Sequence, residues 1–136
     1  MNRIDILRLI QKQWPDVHLV LPLKSSQGNL VIVDEHYHVP DKSEVDGLIH
    51  WRKWYQAWTM PAYKPDTFDC DDFALECYRD VRGVFPGDES LSLGWCLIPG
   101  HALNFMVSTD GIWLYDYRAD KLWEATSTDQ PYFWMI

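Results

Sequence analysis

Between Leu91 and Asp116 one rhythm is written three times. Leu91, Leu93, Trp95 and Leu97 alternate with other residues, then His101, Leu103, Phe105 and Val107, then Ile112, Leu114 and Asp116. A period of two places each set on one face of a strand. Pro99-Gly100 and Ser108-Thr109-Asp110-Gly111 supply the turns between them. Strands joined by connections this short run antiparallel, so the last part of the chain is a sheet with an apolar face to cover. The segments before it have helical spacing. Ile4, Leu7, Ile10 and Trp14 recur on one stripe, widened by Ile6 and Leu9 and stopped by Pro15. A second helix starts near Ser43 and carries Val45, Leu48, Ile49, Trp51, Trp54, Tyr55 and Trp58. Pro61 and Pro65 mark the loop after it. In the third, Asp69 is the expected N-cap, Cys70 the first helical residue, and Gly83 the residue past the end. Pro86-Gly87 then introduces the strands. Upstream, Val17–Leu23 and Leu30–Val33 flank the turn-forming Ser25-Ser26-Gln27-Gly28-Asn29 and predict a hairpin. The expectation is one α+β domain over residues 1–136, N-terminal helices with the Cys-bearing helix packed on a C-terminal antiparallel sheet.

Charge narrows the partners. Twenty acidic against twelve basic side chains give a net charge of −8, which repels nucleic-acid backbones and anionic membrane surfaces. No apolar run reaches the roughly 18–20 residues of a membrane-spanning helix, and the N-terminal segment reads as an amphipathic helix rather than a signal peptide. Three cysteines argue against a disulfide framework. These features predict a cytoplasmic protein, in a host cytoplasm if the chain is phage-encoded, and leave oligomeric state open. Eight tryptophans suit efficient core burial, or a groove for sugars or peptides.

Cys70 opens a helix, where unpaired N–H groups and the helix dipole favour a thiolate. His101 opens a strand and Asp116 lies on the next one. If Ser108–Gly111 is a four-residue loop, Val107 faces Ile112 and Leu103 faces Asp116. His101 then lies diagonal to Asp116 on the same face, about 7–8 Å away at Cα. A two-residue Asp110-Gly111 turn would separate the pair by roughly 13 Å. Asp69, Asp71 and Asp72 crowd the thiol with negative charge and oppose its ionisation. A divalent cation held by carboxylates would cancel that charge.

The segments Phe68-Asp69-Cys70-Asp71-Asp72-Phe73-Ala74, Gly100-His101-Ala102-Leu103-Asn104 and Trp113-Leu114-Tyr115-Asp116 resemble the Cys–His–Asp core of papain-like and transglutaminase-like cysteine peptidases. The closer resemblance is to the papain-like C-terminal domain of the Marasmius oreades agglutinin and its microbial and phage relatives. Val31-Ile32-Val33-Asp34-Glu35-His36-Tyr37 is similar to their upstream segment. The resemblance implies a papain-like fold and a peptidase acting on protein or peptide, with Cys70 as nucleophile, His101 as base and Asp116 orienting the imidazole. It also implies calcium dependence, with Asp71 and Asp72 matching the metal-binding stretch. The relatives place glutamate followed by Pro-Gln where this chain has Asp116-Tyr117-Arg118. No glutamine stands shortly before Cys70. An oxyanion would therefore rely on the Cys70 N–H, with Asn104 or Trp58 in support.

Each residue also has a plainer role. Cys70, Ala74, Cys77 and Val81 form a helical stripe, so the thiol could be core. His101 could be satisfied by backbone, and Asp116 could pair with Arg118 or a lysine. Cys77 and Cys96 read as core, His36 and His38 as surface, Trp51, Trp54 and Trp58 as core, and Trp95 and Trp113 as possible flanks of the cleft. The competing function is a catalytically inactive scaffold of the phage inhibitor kind, its negative charge suiting a basic partner protein or nucleic-acid mimicry. A sugar-binding module rests on the tryptophan count alone.

Overall fold

The computed structural model describes residues 1–19, 29–32, 34–59, 62, 64–65, 69–84 and 89–136. Helix α1 (Arg3–Gln13) begins where the Asn2 carboxamide oxygen accepts the N–H groups of Ile4 and Asp5 at 2.9 and 3.0 Å. It buries Ile6, Ile10 and Trp14, while Ile4 faces solvent. Leu7 and Leu9 of the expected stripe are half-buried, so Ile4 alone of the set is exposed. Strands β1 (His18–Leu19) and β2 (Asn29–Val31) follow. They pair parallel, so they are not the two arms of a hairpin. Residues 20–28 and Val33, which include most of the expected turn, lie outside the described residues. After β3 (Tyr37–His38), α2 runs Lys42–Thr59. Asp41 and Glu44 cap it reciprocally, each carboxylate accepting the other's N–H, at 2.9 and 3.0 Å.

Helix α3 (Cys70–Val84) includes Gly83 and ends two residues later than expected. The strands then follow as β4 (Ser90–Leu91), β5 (Leu93–Ile98), β6 (His101–Ser108), β7 (Gly111–Asp116), β8 (Lys121–Glu124) and β9 (Phe133–Met135). Strands β5, β6 and β7 form the expected antiparallel meander, β8 extends it beyond the three strands the sequence predicts, and β9 pairs antiparallel with β5. On the far side of β9, β2 and then β1 join in parallel. The seven-stranded sheet, in the order β1-β2-β9-β5-β6-β7-β8, is therefore mixed. Strand β4 leaves it to pair with β3 in a parallel two-stranded ribbon.

Alternation along β6 and β7 divides the interior in two. Leu103, Phe105, Val107, Ile112 and Leu114 pack with Ile6 and Ile10 of α1 and with Trp14 at its C-cap. Met106 and Tyr115 pack on the other face with Val45 and Ile49 of α2 and Cys77 and Val81 of α3. The Cys-bearing helix does lie on the sheet. Trp54, expected in the core, is 64% exposed, while Arg52, two residues before it, is fully buried. The Trp58 side chain lies outside the described residues. No helix among the described residues is long and apolar enough to cross a membrane.

Candidate active site

The turn between β5 and β6 is Pro99-Gly100, with Ile98 paired to His101 and Gly100 at φ +72°. Proline followed by a left-handed glycine is the sequence a type II turn requires, and it makes His101 the first residue of β6. At the other end, Val107 pairs with Ile112 and Ser108 with Gly111. The turn proper is Thr109-Asp110, tighter than a four-residue loop but in the same register. Continued along the ladder, this register sets Leu103 opposite Asp116 and His101 diagonal to it. The side chains close the remaining gap: His101 Nε2 lies 2.8 Å from Asp116 Oδ2. The second carboxylate oxygen accepts the Ala119 N–H at 2.9 Å, so Asp116 is held by both oxygens. With the carboxylate accepting from Nε2–H, Nδ1 of a neutral imidazole carries the lone pair.

Cys70, His101 and Asp116 line one shallow crevice with Phe73, Asn104 and Tyr117. It lies across the ends of β6 and β7, drawing residues from both faces of the sheet. Cys70 is half-buried. Its helix start is fixed by Asp69 and Asp72: the Asp69 N–H donates to the Asp72 carboxylate at 3.2 Å, and Phe73 N–H to the Asp69 carbonyl at 3.0 Å. Among the described residues no hydrogen bond joins Cys70 to His101. The thiol instead has carboxylate oxygens of Asp69 and Asp71 within 4.8 Å. A hydrogen bond to Asp69, together with burial and the charges of Asp69 and Asp72, raises the Asp71 carboxyl above its ordinary value, as when two carboxyls share a proton.

That cluster bears on the calcium expectation. Calcium takes six to eight oxygens. The described group offers carboxylates from Asp69 and Asp71 and a thiol, a soft ligand foreign to calcium, while Asp72 is committed to the helix cap. The described group of Asp69, Cys70 and Asp71 does not by itself make a calcium site, and Asp72 gives one carboxylate oxygen to the helix start.

Asn104 is also recast. Its side-chain N–H groups donate to the carbonyls of Ala74, at 2.8 Å, and Gly94, at 3.3 Å. Neither hydrogen remains for an oxyanion; Asn104 is a bolt between α3 and β5. We expect Asn104→Ala to cost about 2–3 kcal/mol by stranding a buried carbonyl, read as a lowered urea midpoint. A midpoint within about 0.5 kcal/mol of the parent would mean that the bolt is idle. Trp95 and Trp113 do not line the crevice: Trp95 packs on Phe133, and Lys42 lies over Trp113. Two contributors carry no motif signal in the sequence, Ala119 through its N–H and Tyr117, whose ring stacks on Phe73 with centroids 4.5 Å apart. A backbone donor leaves no residue-type signal. Tyr117 was signalled only by its place after Asp116.

No protein-family model matches the chain, and no curated protein does. Solved structures do. The structure described as the PSL1a–E64 complex matches over the whole chain with TM-score 0.67 and 15% identity, and the match covers 50% of that protein. Polyporus squamosus lectin, bound to the human-type influenza-binding epitope Neu5Acα2-6Galβ1-4GlcNAc, matches over 76% of the chain with TM-score 0.55 and 14% identity, covering 41% of the lectin. The fold is thus shared with lectins about twice as long. At this identity the likeness speaks of fold alone.

Proposed function

We propose that the protein is a small papain-like cysteine hydrolase that cleaves amide bonds, most simply those of peptides. The observation that carries this reading is the 2.8 Å His101–Asp116 pair opening on the crevice that also holds Cys70 at the start of α3. His101 takes the thiol proton at Nδ1. The sulfur attacks the carbonyl carbon, and the negative charge on oxygen is met by the N–H at the helix start. Collapse of this adduct breaks the C–N bond, and the imidazolium returns the proton to the leaving amine. Water, deprotonated by the same imidazole, then cleaves the thioester and restores the thiol. Asp116 stabilises the imidazolium throughout.

Thiol labelling tests this reading. Burial pushes the Cys77 thiol up to about 11 against the opposing pull of Arg52, and burial raises Cys96 as well; both side chains are buried. Iodoacetamide is therefore expected to label the folded chain once, at Cys70, and all three cysteines in urea. Near neutral pH, Cys70 in the folded chain should react at least tenfold faster than in the unfolded chain. E64, an epoxide that alkylates thiols and the ligand described for PSL1a, should block the same residue. A folded Cys70 no faster than the unfolded one would overturn the hydrolase. It would favour a binding scaffold, for which the carboxylates beside the thiol and the exposed Trp54 already speak. The glycan is that of Polyporus squamosus lectin, and for this chain sugar binding rests on the tryptophan count alone.

A further inference from the structure

The His101–Asp116 hairpin and the Cys70 helix are separate elements, and a thiol–imidazole couple works only if something fixes their spacing. The bolt from Asn104 grips α3 at Ala74, one turn beyond Cys70. Closer to the crevice, Phe73 of α3 and Tyr117, directly after Asp116, stack with centroids 4.5 Å apart and planes 29° apart. Tyr117 is not a loose loop residue. Its carbonyl accepts the Asp120 N–H at 3.2 Å, closing the turn whose Ala119 N–H holds Asp116. Asp120 takes a left-handed backbone, φ +51°, and Lys53 of α2 pairs with its carboxylate at 2.9 Å. Arg52, 0% exposed, lies over the same ring, with its guanidinium carbon 5.9 Å from the Tyr117 centroid and one Nη 3.5 Å from Asp80. Packed apolar residues generally stabilise a core at least as well as a buried ion pair. A buried cation at this position instead backs an aromatic ring that faces the site.

We infer that Tyr117 is a positioning residue: its ring, stacked on Phe73 and backed by Arg52, sets the distance between the Cys70 thiol and the His101–Asp116 pair. The inference rests on the hydrolase reading above. What matters is the ring rather than the hydroxyl, so Tyr117→Phe should behave as the parent and Tyr117→Leu should not. The experiment uses the full chain, with iodoacetamide as probe, and compares folded with urea-unfolded Cys70 rates. Melting temperature and the hydrogen-bonded imidazole N–H proton of His101, followed by NMR, serve as structural readouts. Tyr117→Leu should lose roughly ten- to a hundredfold of the rate advantage, as displacement by about an ångström does, with the His101 signal retained. Phe73→Leu supplies the second arm and keeps the test alive if the first variant fails to fold. If the two rings act as one stack, the double variant loses little more than either single one. Leucine variants with the parent's rate advantage would overturn the inference and leave the hydrolase standing. A parent without any rate advantage would overturn the hydrolase first.

Discussion

Asp116→Asn should cost more than its size suggests, lowering amide hydrolysis by roughly three to four orders of magnitude. The present carboxylate accepts from His101 Nε2 at 2.8 Å and leaves Nδ1 as the base. A carboxamide can present its N–H₂ to Nε2 instead, which moves the ring proton to Nδ1 and removes the lone pair that should receive the thiol proton. Its oxygen can still accept the Ala119 N–H that Oδ1 now accepts at 2.9 Å, so the turn should survive. Cys70→Ala should abolish turnover, and His101→Ala should cost roughly 10²–10⁴-fold. The losses should not add, because the three groups act on one proton transfer. Cleavage of a mixed peptide library followed by mass spectrometry reads all of them, with far-UV circular dichroism as the folding control. Asp116→Asn at parental activity would remove Asp116 from the mechanism and leave a Cys–His couple.

The His101–Asp116 partnership was legible because register in a short antiparallel hairpin is local information: one turn and one period of two fix which residues face each other. The start of α3 was legible for the same reason, Asp69 and Asp72 being three residues apart. What escaped was non-local. Strands β1, β2 and β9 are two or three residues long, too short to show a period, and their pairing joins residues about a hundred positions apart, as Leu30 with Trp134. Nothing local to Arg52 signals its burial; only the fold brings Asp80 and Tyr117 to it. Asn104 invited a catalytic reading because its sequence neighbours resemble a catalytic strand. Only the positions of Ala74 and Gly94 show where its amide goes. In the acidic run around Cys70, only the folded helix start shows that Asp72 accepts the Asp69 N–H.

Gly94→Ala is expected to prevent folding or to cost more than about 4 kcal/mol. A Cβ at this position would stand 2.1 Å from the Met135 carbonyl oxygen and 2.6 and 2.7 Å from two ring carbons of Phe105. None of these can step aside cheaply. Met135 is backbone of β9, paired with β5 next to Gly94, and Phe105 is fully buried against Trp134 at 4.8 Å between centroids. The damage would reach the site as well. The Gly94 carbonyl is one of the two that Asn104 grips, the other being Ala74 in α3, so a displaced β5 pulls on the helix that carries Cys70. Gly47 gives the matched control. It lies inside α2 with nothing within 4 Å of its added Cβ, and Gly47→Ala should stabilise the chain by about 0.5–1 kcal/mol through helix propensity alone. One substitution, made at two glycines, should therefore move the urea midpoint in opposite directions. A Gly94→Ala chain as stable as the parent would mean that β9 does not lie against β5 at this spacing, and the anchoring of α3 through Asn104 would have to be redrawn with it.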